Sequence, residues 1–184
     1  MAGVLGQFYP FGLAEGAFRI DYEQLYECGY RGIIFDVDQT LVPHGFDSNS
    51  EVDSLFRILH GIGFTTLLLS DNSEQRLRNF ARNLETAYIS NAQKPRRESY
   101  LKALMMMGLP PTKIVQVADR VLWDVYGANR SGIVTILVPY LSAPNEEAGR
   151  IGARRSIDNL ILTCYASRQR RQRRWDRARP GEAA

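Results

Sequence analysis

Short apolar runs alternate with longer amphipathic segments along the first 140 residues. The apolar runs have the length of buried strands and lie at residues 32–37, 64–70, 86–90, 113–118 and 133–138. The segments between them show apolar residues at helical spacing and predict helices over residues 49–63, 73–84, 95–108 and 122–132. This alternation predicts an α/β fold with a parallel sheet covered by helices on both faces.

The pattern changes after Pro139. Residues 141–149 predict a loop, and apolar positions from 157 to 165 predict an amphipathic helix over residues 156–175 whose end is rich in arginine. We therefore divide the chain into an N-terminal segment (1–18), a main domain (19–140) and a loop and helix that complete it (141–167). An arginine-rich tail (168–184) follows, and we expect it to be flexible.

Composition favours an intracellular protein with one main domain. The chain has 184 residues, and its two cysteines, Cys28 and Cys164, form no CxxC or Cys/His cluster. Neither a zinc site nor a disulfide framework is expected, which favours a reducing compartment. The sequence contains no apolar run long enough to span a bilayer and no basic start typical of a signal peptide.

Positive charge is concentrated in the tail. Residues 168–184 carry seven arginines and two acidic residues, a net charge of +5 within a chain of net charge +3, so residues 1–167 carry −2. Such a tail is typical of a solvated end, and it can also attract anionic lipid headgroups. The slightly negative body argues against nucleic acid as a partner. We expect a cytoplasmic protein that can associate peripherally with the inner face of the membrane; the sequence leaves the oligomeric state open.

Polar side chains gather where the predicted strands end. Asp36 and Asp38 follow the first strand, Ser70 ends the second, and Asp119 and Asp124 follow the fourth. Lys94, one of only three lysines, precedes the helix at 95–108. Ligands of parallel sheets bind outside the carboxyl ends of the strands, so these side chains are expected at one edge.

The spacing of Asp36 and Asp38 predicts phosphoryl-transfer chemistry. Residues two apart on an extended segment point to the same side, and neighbouring carboxylates repel each other unless a cation separates them. Oxygen ligands favour Mg²⁺, with Asp119 as a direct ligand and Asp124 as a supporting one. Asp36 is then the expected nucleophile, which forms an aspartyl-phosphate, and Asp38 the general acid and base. Ser70 and Lys94 are expected to hold the phosphoryl oxygens.

These residues resemble the motifs of the haloacid dehalogenase (HAD) superfamily of phosphatases. "FDVDQT" resembles its DxDxT signature, and "LLLS", "QKP" and "ADRVLWD" resemble its later motifs in the same order. "RGIIFDVDQTLV" and "ADRVLWDVYGANRSGIVTILV" are similar to YqeG-like phosphatidylglycerophosphate phosphatases, over roughly residues 19–165. The resemblance implies a three-layer Rossmann-like sheet, Mg²⁺ as cofactor and phosphatidylglycerophosphate as substrate. Further expected ligands are Thr40 and Asp71 for phosphate, and Asp36 and the backbone carbonyl of Asp38 for the metal.

The chain departs from the family pattern at four positions. Ala118 stands where glycine is usual, Arg120 where glutamine is usual, Asp71 where asparagine is usual, and Gln39 where asparagine or glycine is common. None of these changes removes a group that the mechanism needs.

The spacing of the motifs limits how the site is covered. Only 31 residues separate Asp38 from Ser70, and 23 separate Ser70 from Lys94, so neither interval can hold a sizeable cap domain. An uncovered site favours a bulky or membrane-embedded substrate. Two alternatives stay open: the same chemistry on a soluble phosphate ester or phosphoprotein, and an inactive binding module. His44 and His60 are expected to be structural or exposed.

Overall fold

A six-stranded parallel sheet organises the chain in a computed structural model that describes residues 4–143 and 158–167. Every neighbouring pair of strands in this sheet is parallel, and the spatial order is β1-β6-β5-β2-β3-β4. The strands are β1 (Gly12–Leu13), β2 (Gly32–Phe35), β3 (Thr65–Leu69), β4 (Ala87–Ile89), β5 (Ile114–Ala118) and β6 (Val134–Leu137).

Five α-helices accompany the sheet: α1 (Tyr22–Glu27), α2 (Ser50–Ile62), α3 (Glu74–Phe80), α4 (Arg97–Met107) and α5 (Tyr126–Asn129). The Asn49 side chain accepts hydrogen bonds from two N–H groups of the first turn of α2, and Ser73 accepts one at the start of α3. A π-helical turn, Val121–Val125, leads directly into α5. Residues 158–167 are helical and form part of a separate unit of the chain.

The sheet has a core on each face, as the sequence predicts. Ile33 and Phe35 of β2 belong to the core that includes Phe56 of α2 and Leu77 of α3. Ile34, between them, belongs to the opposite core, which is built with residues of α4 and α5. Successive side chains of a strand point to opposite faces, so a strand that is apolar throughout serves both cores. The three-layer α/β fold is thereby confirmed.

The five predicted strands are all present and slightly shorter than predicted, whereas three features differ from expectation. β1 and α1 were not predicted. The two residues of β1 are too few to show periodicity, and β1 joins the sheet edge through hydrogen bonds such as Phe11 N to Thr135 O (2.8 Å). The predicted helix at 122–132 is divided into the π-helical turn and α5. The predicted helix at 156–175 is helical over 158–167, and its remainder lies outside the described residues.

The strand order fixes where a ligand can bind. The chain proceeds from β2 to β3 and β4 on one side, then crosses to β5 and β6 on the other. The carboxyl ends of β2 and β5 therefore flank a point where connections diverge, and such points form crevices. Between Asp38 and Ser70 the chain forms a loop, α2 and β3. Between Ser70 and Lys94 it forms α3, a 3-10 turn and β4. Within the described residues, the helices are too short or too polar to cross a membrane.

Gly127 of α5 provides a test of packing between the helices of one face. A Cβ atom at Gly127 would lie 2.5 Å from the ring of the fully buried Tyr100. We expect Gly127→Ala to lower the free energy of unfolding by about 1–3 kcal/mol through overpacking. Gly61 of α2 has open space at its Cβ position, so Gly61→Ala should be neutral or stabilise by up to about 1 kcal/mol. Urea denaturation of both variants measures the difference, and equal effects would contradict this packing.

Candidate active site

The loops after β2, β3 and β5 bring the predicted site residues together. Asp36 directly follows β2, and its N–H donates to Val117 O of β5 at 3.0 Å. Ser70 follows β3, and its N–H donates to Ile89 O of β4 at 3.1 Å. The backbone of each residue thus continues the hydrogen bonding of the sheet, which fixes the position of its side chain.

Lys94 lies at the centre of this arrangement. Its Nζ is 2.8 Å from Oδ1 of Asp36 and 2.7 Å from Oδ1 of Asp124, and the three side chains are almost fully buried. The two carboxylates hold the pKa of Lys94 above its usual value despite burial, so the ammonium form persists. An ammonium group has three N–H donors, and these two contacts leave one that can point to a ligand.

Asp119 completes a buried cluster of three carboxylates with Asp36 and Asp124. One carboxylate oxygen of each residue lies within 4.8 Å of the others. Oδ2 of Asp124 is buried and has no hydrogen-bond partner, whereas Oδ1 accepts from Lys94 and from Nε2 of Gln116 (3.0 Å). Three carboxylates against one ammonium leave two negative charges uncompensated when all are ionised. The donor set, its charge and the unpartnered oxygen fit a divalent cation with a preference for oxygen ligands.

Burial perturbs the acids of this cluster in the metal-free protein. Loss of solvation, reinforced by the nearby charges of Asp36 and Asp124, raises the pKa of Asp119 to about 8. Burial also raises the pKa of Asp124 to about 7, although Lys94 acts in the opposite direction. The cluster therefore holds protons near neutral pH that a bound cation would displace.

Asp38 lies at the rim of the cluster and is held by different partners. Its Oδ1 accepts from Nη2 of Arg76 at 2.7 Å and from Gly45 N at 3.2 Å. Its Oδ2 accepts from Nδ2 of Asn72 at 3.0 Å and lies 3.0 Å from Nδ1 of His44. Partial burial opposes ionisation of Asp38, but hydrogen bonds from Asn72, Arg76 and Gly45 outweigh it and lower the pKa.

Ser70 is oriented so that its proton is available to a ligand. Its Oγ accepts from the backbone N–H of Asn72 at 3.3 Å and from Nδ2 of Asn72 at 3.0 Å. With both acceptor positions used, the hydroxyl can donate elsewhere. Asp71 accepts the backbone N–H of Lys94 at 2.9 Å and so fixes the loop that carries the lysine. Thr40 is buried, and its hydroxyl donates to Oδ1 of Asp119 at 3.4 Å.

A cleft of about 160 Å³ opens above these residues. It is lined by the predicted Asp36, Asp38, Ser70, Asp71 and Lys94, together with Gln39, His44, Asn72 and Arg120. Asp119, Asp124 and Thr40 lie outside its lining. The guanidinium group of Arg120, one of the departures from the family pattern, lies over the Trp123 ring, 4.4 Å from its centroid.

Four residues of the site were not predicted as functional. Gln116 is fully buried, and a polar residue in the middle of the apolar run at 113–118 was a usable signal for it. Asn72 and Arg76 follow Ser70 closely, but nothing in their spacing indicates a contact with Asp38. His44 is exposed, as predicted, yet it contacts Asp38. His60 fits the structural expectation, because its Nε2 lies 2.8 Å from Oγ1 of Thr66.

Comparison with known proteins identifies relatives that match most of the chain. Residues 91–154 match the family model described as HAD-hydrolase-like. "Probable phosphatase YqeG" of Bacillus subtilis (strain 168) is 31% identical over 159 residues, which cover 85% of this chain and 90% of that protein. "Phosphatidylglycerophosphate phosphatase 1, chloroplastic" of Chlamydomonas reinhardtii is 27% identical over 149 residues. That match covers 74% of this chain and 55% of the algal protein.

A solved structure supports the fold. An uncharacterized protein from Listeria monocytogenes serotype 4b superposes with a TM-score of 0.51 at 19% identity. The superposition covers 64% of this chain and 84% of that one.

The raised pKa values of Asp119 and Asp124 predict pH-dependent binding of Mg²⁺. Both carboxyl groups carry protons at pH 6 and lose them as pH rises through about 7 and about 8, so the cation meets less competition at pH 8.5. The rise in melting temperature caused by MgCl₂ should therefore be larger at pH 8.5 than at pH 6. Scanning calorimetry with and without Mg²⁺ measures this, with Asp119→Asn as the control that should lose most of the effect. An equal rise at both pH values would contradict the assignment.

Proposed function

We propose that this chain, which belongs to the YqeG-like family of haloacid dehalogenase (HAD) phosphatases, is a Mg²⁺-dependent phosphomonoesterase that prefers phosphatidylglycerophosphate. The observation that carries the proposal is the buried ion-pair arrangement of Lys94 with Asp36 and Asp124, beside Asp119. This arrangement pairs the carboxylate of Asp36 with an ammonium group at the lining of the cleft, next to the carboxylate cluster that fits a cation.

The proposed reaction has two steps on Asp36. An oxygen of the Asp36 carboxylate attacks phosphorus, the bond to the ester oxygen breaks, and the carboxyl group of Asp38 gives that oxygen its proton. Asp38, now ionised, then takes a proton from water, whose oxygen attacks phosphorus and releases Asp36 and inorganic phosphate. The approach of a phosphate dianion brings negative charge next to Asp38, which favours the protonated form that the first step needs.

Ser70 and Lys94 would bind the phosphoryl oxygens through the hydroxyl proton and the third ammonium proton. Asp71 would contribute its backbone N–H, because its carboxylate would repel phosphate. Asp36, Asp119, Asp124 and the backbone carbonyl of Asp38 would hold Mg²⁺, which offsets negative charge in the transition state. Thr40, which donates to Asp119, would act on phosphate only indirectly in the arrangement seen here.

Three features support a lipid substrate. The cleft is smaller than the roughly 300–1,000 Å³ of pockets that enclose a whole small ligand, so it suits a phosphoryl group whose remainder stays outside. Two exposed apolar side chains stand on loops that contact residues of the site: Phe46, whose carbonyl oxygen accepts from Arg76, and Leu141, whose N–H donates to Gln39 O. The algal relative is named for phosphatidylglycerophosphate.

Other functions make different demands on the site. A soluble phosphate ester or a phosphoprotein would use the same residues and needs neither Phe46 nor Leu141. An inactive binding module would not need Asp36, Asp38, Ser70, Lys94 and Asp119 together, and all five are present. We therefore rank the phosphatase first.

Release of inorganic phosphate tests the proposal. Phosphatidylglycerophosphate in mixed micelles and a soluble aryl phosphate should each be assayed with Mg²⁺ and with EDTA. We expect Mg²⁺-dependent release that favours the lipid and falls by at least about a thousandfold in Asp36→Asn, which lacks the nucleophile. Hydrolysis of the aryl phosphate alone would keep the chemistry and refute the lipid assignment. No release from either would favour the binding module.

The arginine-rich tail at 168–184 lies outside the described residues, so peripheral membrane binding stays a prediction. We expect sedimentation with vesicles that contain anionic lipid, weaker at high salt and after removal of residues 168–184, because each basic residue contributes about 1 kcal/mol near such a surface. Vesicle binding that is unchanged at high salt and after the truncation would contradict a role for the tail.

A further inference from the structure

Asp38 depends on side-chain contacts for its position. It stands in the loop after β2 rather than in a strand, and donors from two separate segments surround its carboxylate. His44 and Gly45 come from its own loop, whereas Asn72 lies in the loop before α3 and Arg76 lies in the first turn of α3. Arg76 makes the shortest of these contacts, at 2.7 Å.

Arg76 also fixes the loop itself. Its Nη2 donates to Phe46 O at 2.9 Å, its Nη1 donates to Gly45 O at 3.3 Å, and Nη1 lies 3.9 Å from Oδ1 of Asp47. The side chain is only 20% exposed, and a planar guanidinium group presents its donors in a fixed geometry. One side chain thus joins α3, the loop and the carboxylate of Asp38.

The partners of Asp36 are different. Its carboxylate is held by Lys94 and by the backbone N–H of Val37 at 2.8 Å. The guanidinium group of Arg76 contacts Asp38 and residues 45–47. A change at Arg76 should therefore disturb the proton-transfer group more than the nucleophile.

We propose that Arg76 is the positioning residue for Asp38, holding the carboxyl group within proton-transfer distance of the ester oxygen. The inference rests on the proposed function, in which Asp38 is the general acid. Proton transfer needs a heavy-atom separation of about 2.6–3.2 Å, so a loop residue that shifts by 1 Å loses most of its effect.

The positioning role of Arg76 predicts that hydrolysis rates depend on the leaving group of the ester. When the bond between phosphorus and the ester oxygen breaks, an alkyl ester releases a strongly basic oxygen that must take the proton of Asp38. A nitrophenyl ester releases a phenolate that is stable without that proton. Loss of Asp38 positioning therefore slows alkyl esters selectively, whereas loss of Asp36, of Lys94 or of the fold slows both.

The test compares Arg76→Gln with Arg78→Gln on an alkyl phosphate and on nitrophenyl phosphate. Arg78 lies on the same helix and is exposed, where it pairs with Glu74 at 3.3 Å, so it controls for charge and for helix content. In Arg76→Gln we expect kcat for the alkyl ester to fall at least about tenfold more than kcat for the aryl ester. Arg78→Gln should keep the wild-type ratio, and Arg76→Lys should recover part of it.

Asp36→Asn distinguishes failure of the positioning role of Arg76 from failure of the proposed phosphatase function, since it should abolish hydrolysis of both esters. If the wild type shows Asp36-dependent hydrolysis and Arg76→Gln lowers both esters equally, or neither, the positioning role is overturned and the phosphatase stands. If the wild type hydrolyses neither ester in an Asp36-dependent way, the proposed function is overturned and the positioning role with it. Melting temperatures of the Gln and Lys variants show whether a shared loss reflects unfolding.

Discussion

The site depends on the contacts of the buried Lys94 ammonium group with Asp36 and Asp124. Asp36 and Asp124 lie almost without solvent, and an unpaired buried carboxylate becomes neutral by taking up a proton. Lys94 contacts the proposed nucleophile Asp36 directly, so the lysine serves both the structure and the proposed chemistry. Removing one partner from a buried charge pair typically costs roughly 3–5 kcal/mol, because the remaining charge has no compensation.

The sheet supplies the framework for this interaction. β2 lies between β3 and β5, so the residues that follow these three strands meet at one edge. Lys94 reaches the edge from the loop before α4, and Asp71 holds that loop through the backbone N–H of Lys94. Gln116, buried on β5, adds a hydrogen bond to Asp124 from within the sheet. The strands and the loop thus bring together charged side chains that would be unstable if each were buried alone. The contacts between these side chains stabilise the cluster.

Sequence patterns predicted the strands of the sheet better than the side-chain contacts within the site. Apolar runs bounded by turns identified five of the six strands, because a strand buried on both faces has a strong composition signal. β1 lacked that signal, since two residues show no periodicity. The gathering of Asp36, Ser70 and Asp119 at one edge followed from parallel topology, and Lys94 was expected there because it precedes the helix predicted at 95–108. The contacts of Arg76 and His44 with Asp38 could not be predicted, because they depend on the path of the loop at 43–47.

The backbone conformation of Gln39 is another loop feature that the sequence pattern does not predict. Its φ angle is +66°, in the left-handed region that asparagine and glycine adopt more easily. Asparagine or glycine, which the family resemblance implies at this position, would adopt the conformation more easily than glutamine. The backbone requirement comes from the turn in which Gln39 N donates to Val42 O, and no pattern of apolar and polar residues encodes it.

The central claim is that Asp36 carries the phosphoryl group during turnover. The most direct measurement is to stop the reaction with borohydride, which reduces an aspartyl-phosphate to homoserine, and to map the product by peptide mass spectrometry. The account predicts homoserine at position 36 in the wild type with substrate and Mg²⁺, and none without substrate. Phosphate release without modification of Asp36, or with modification of another residue, would contradict it.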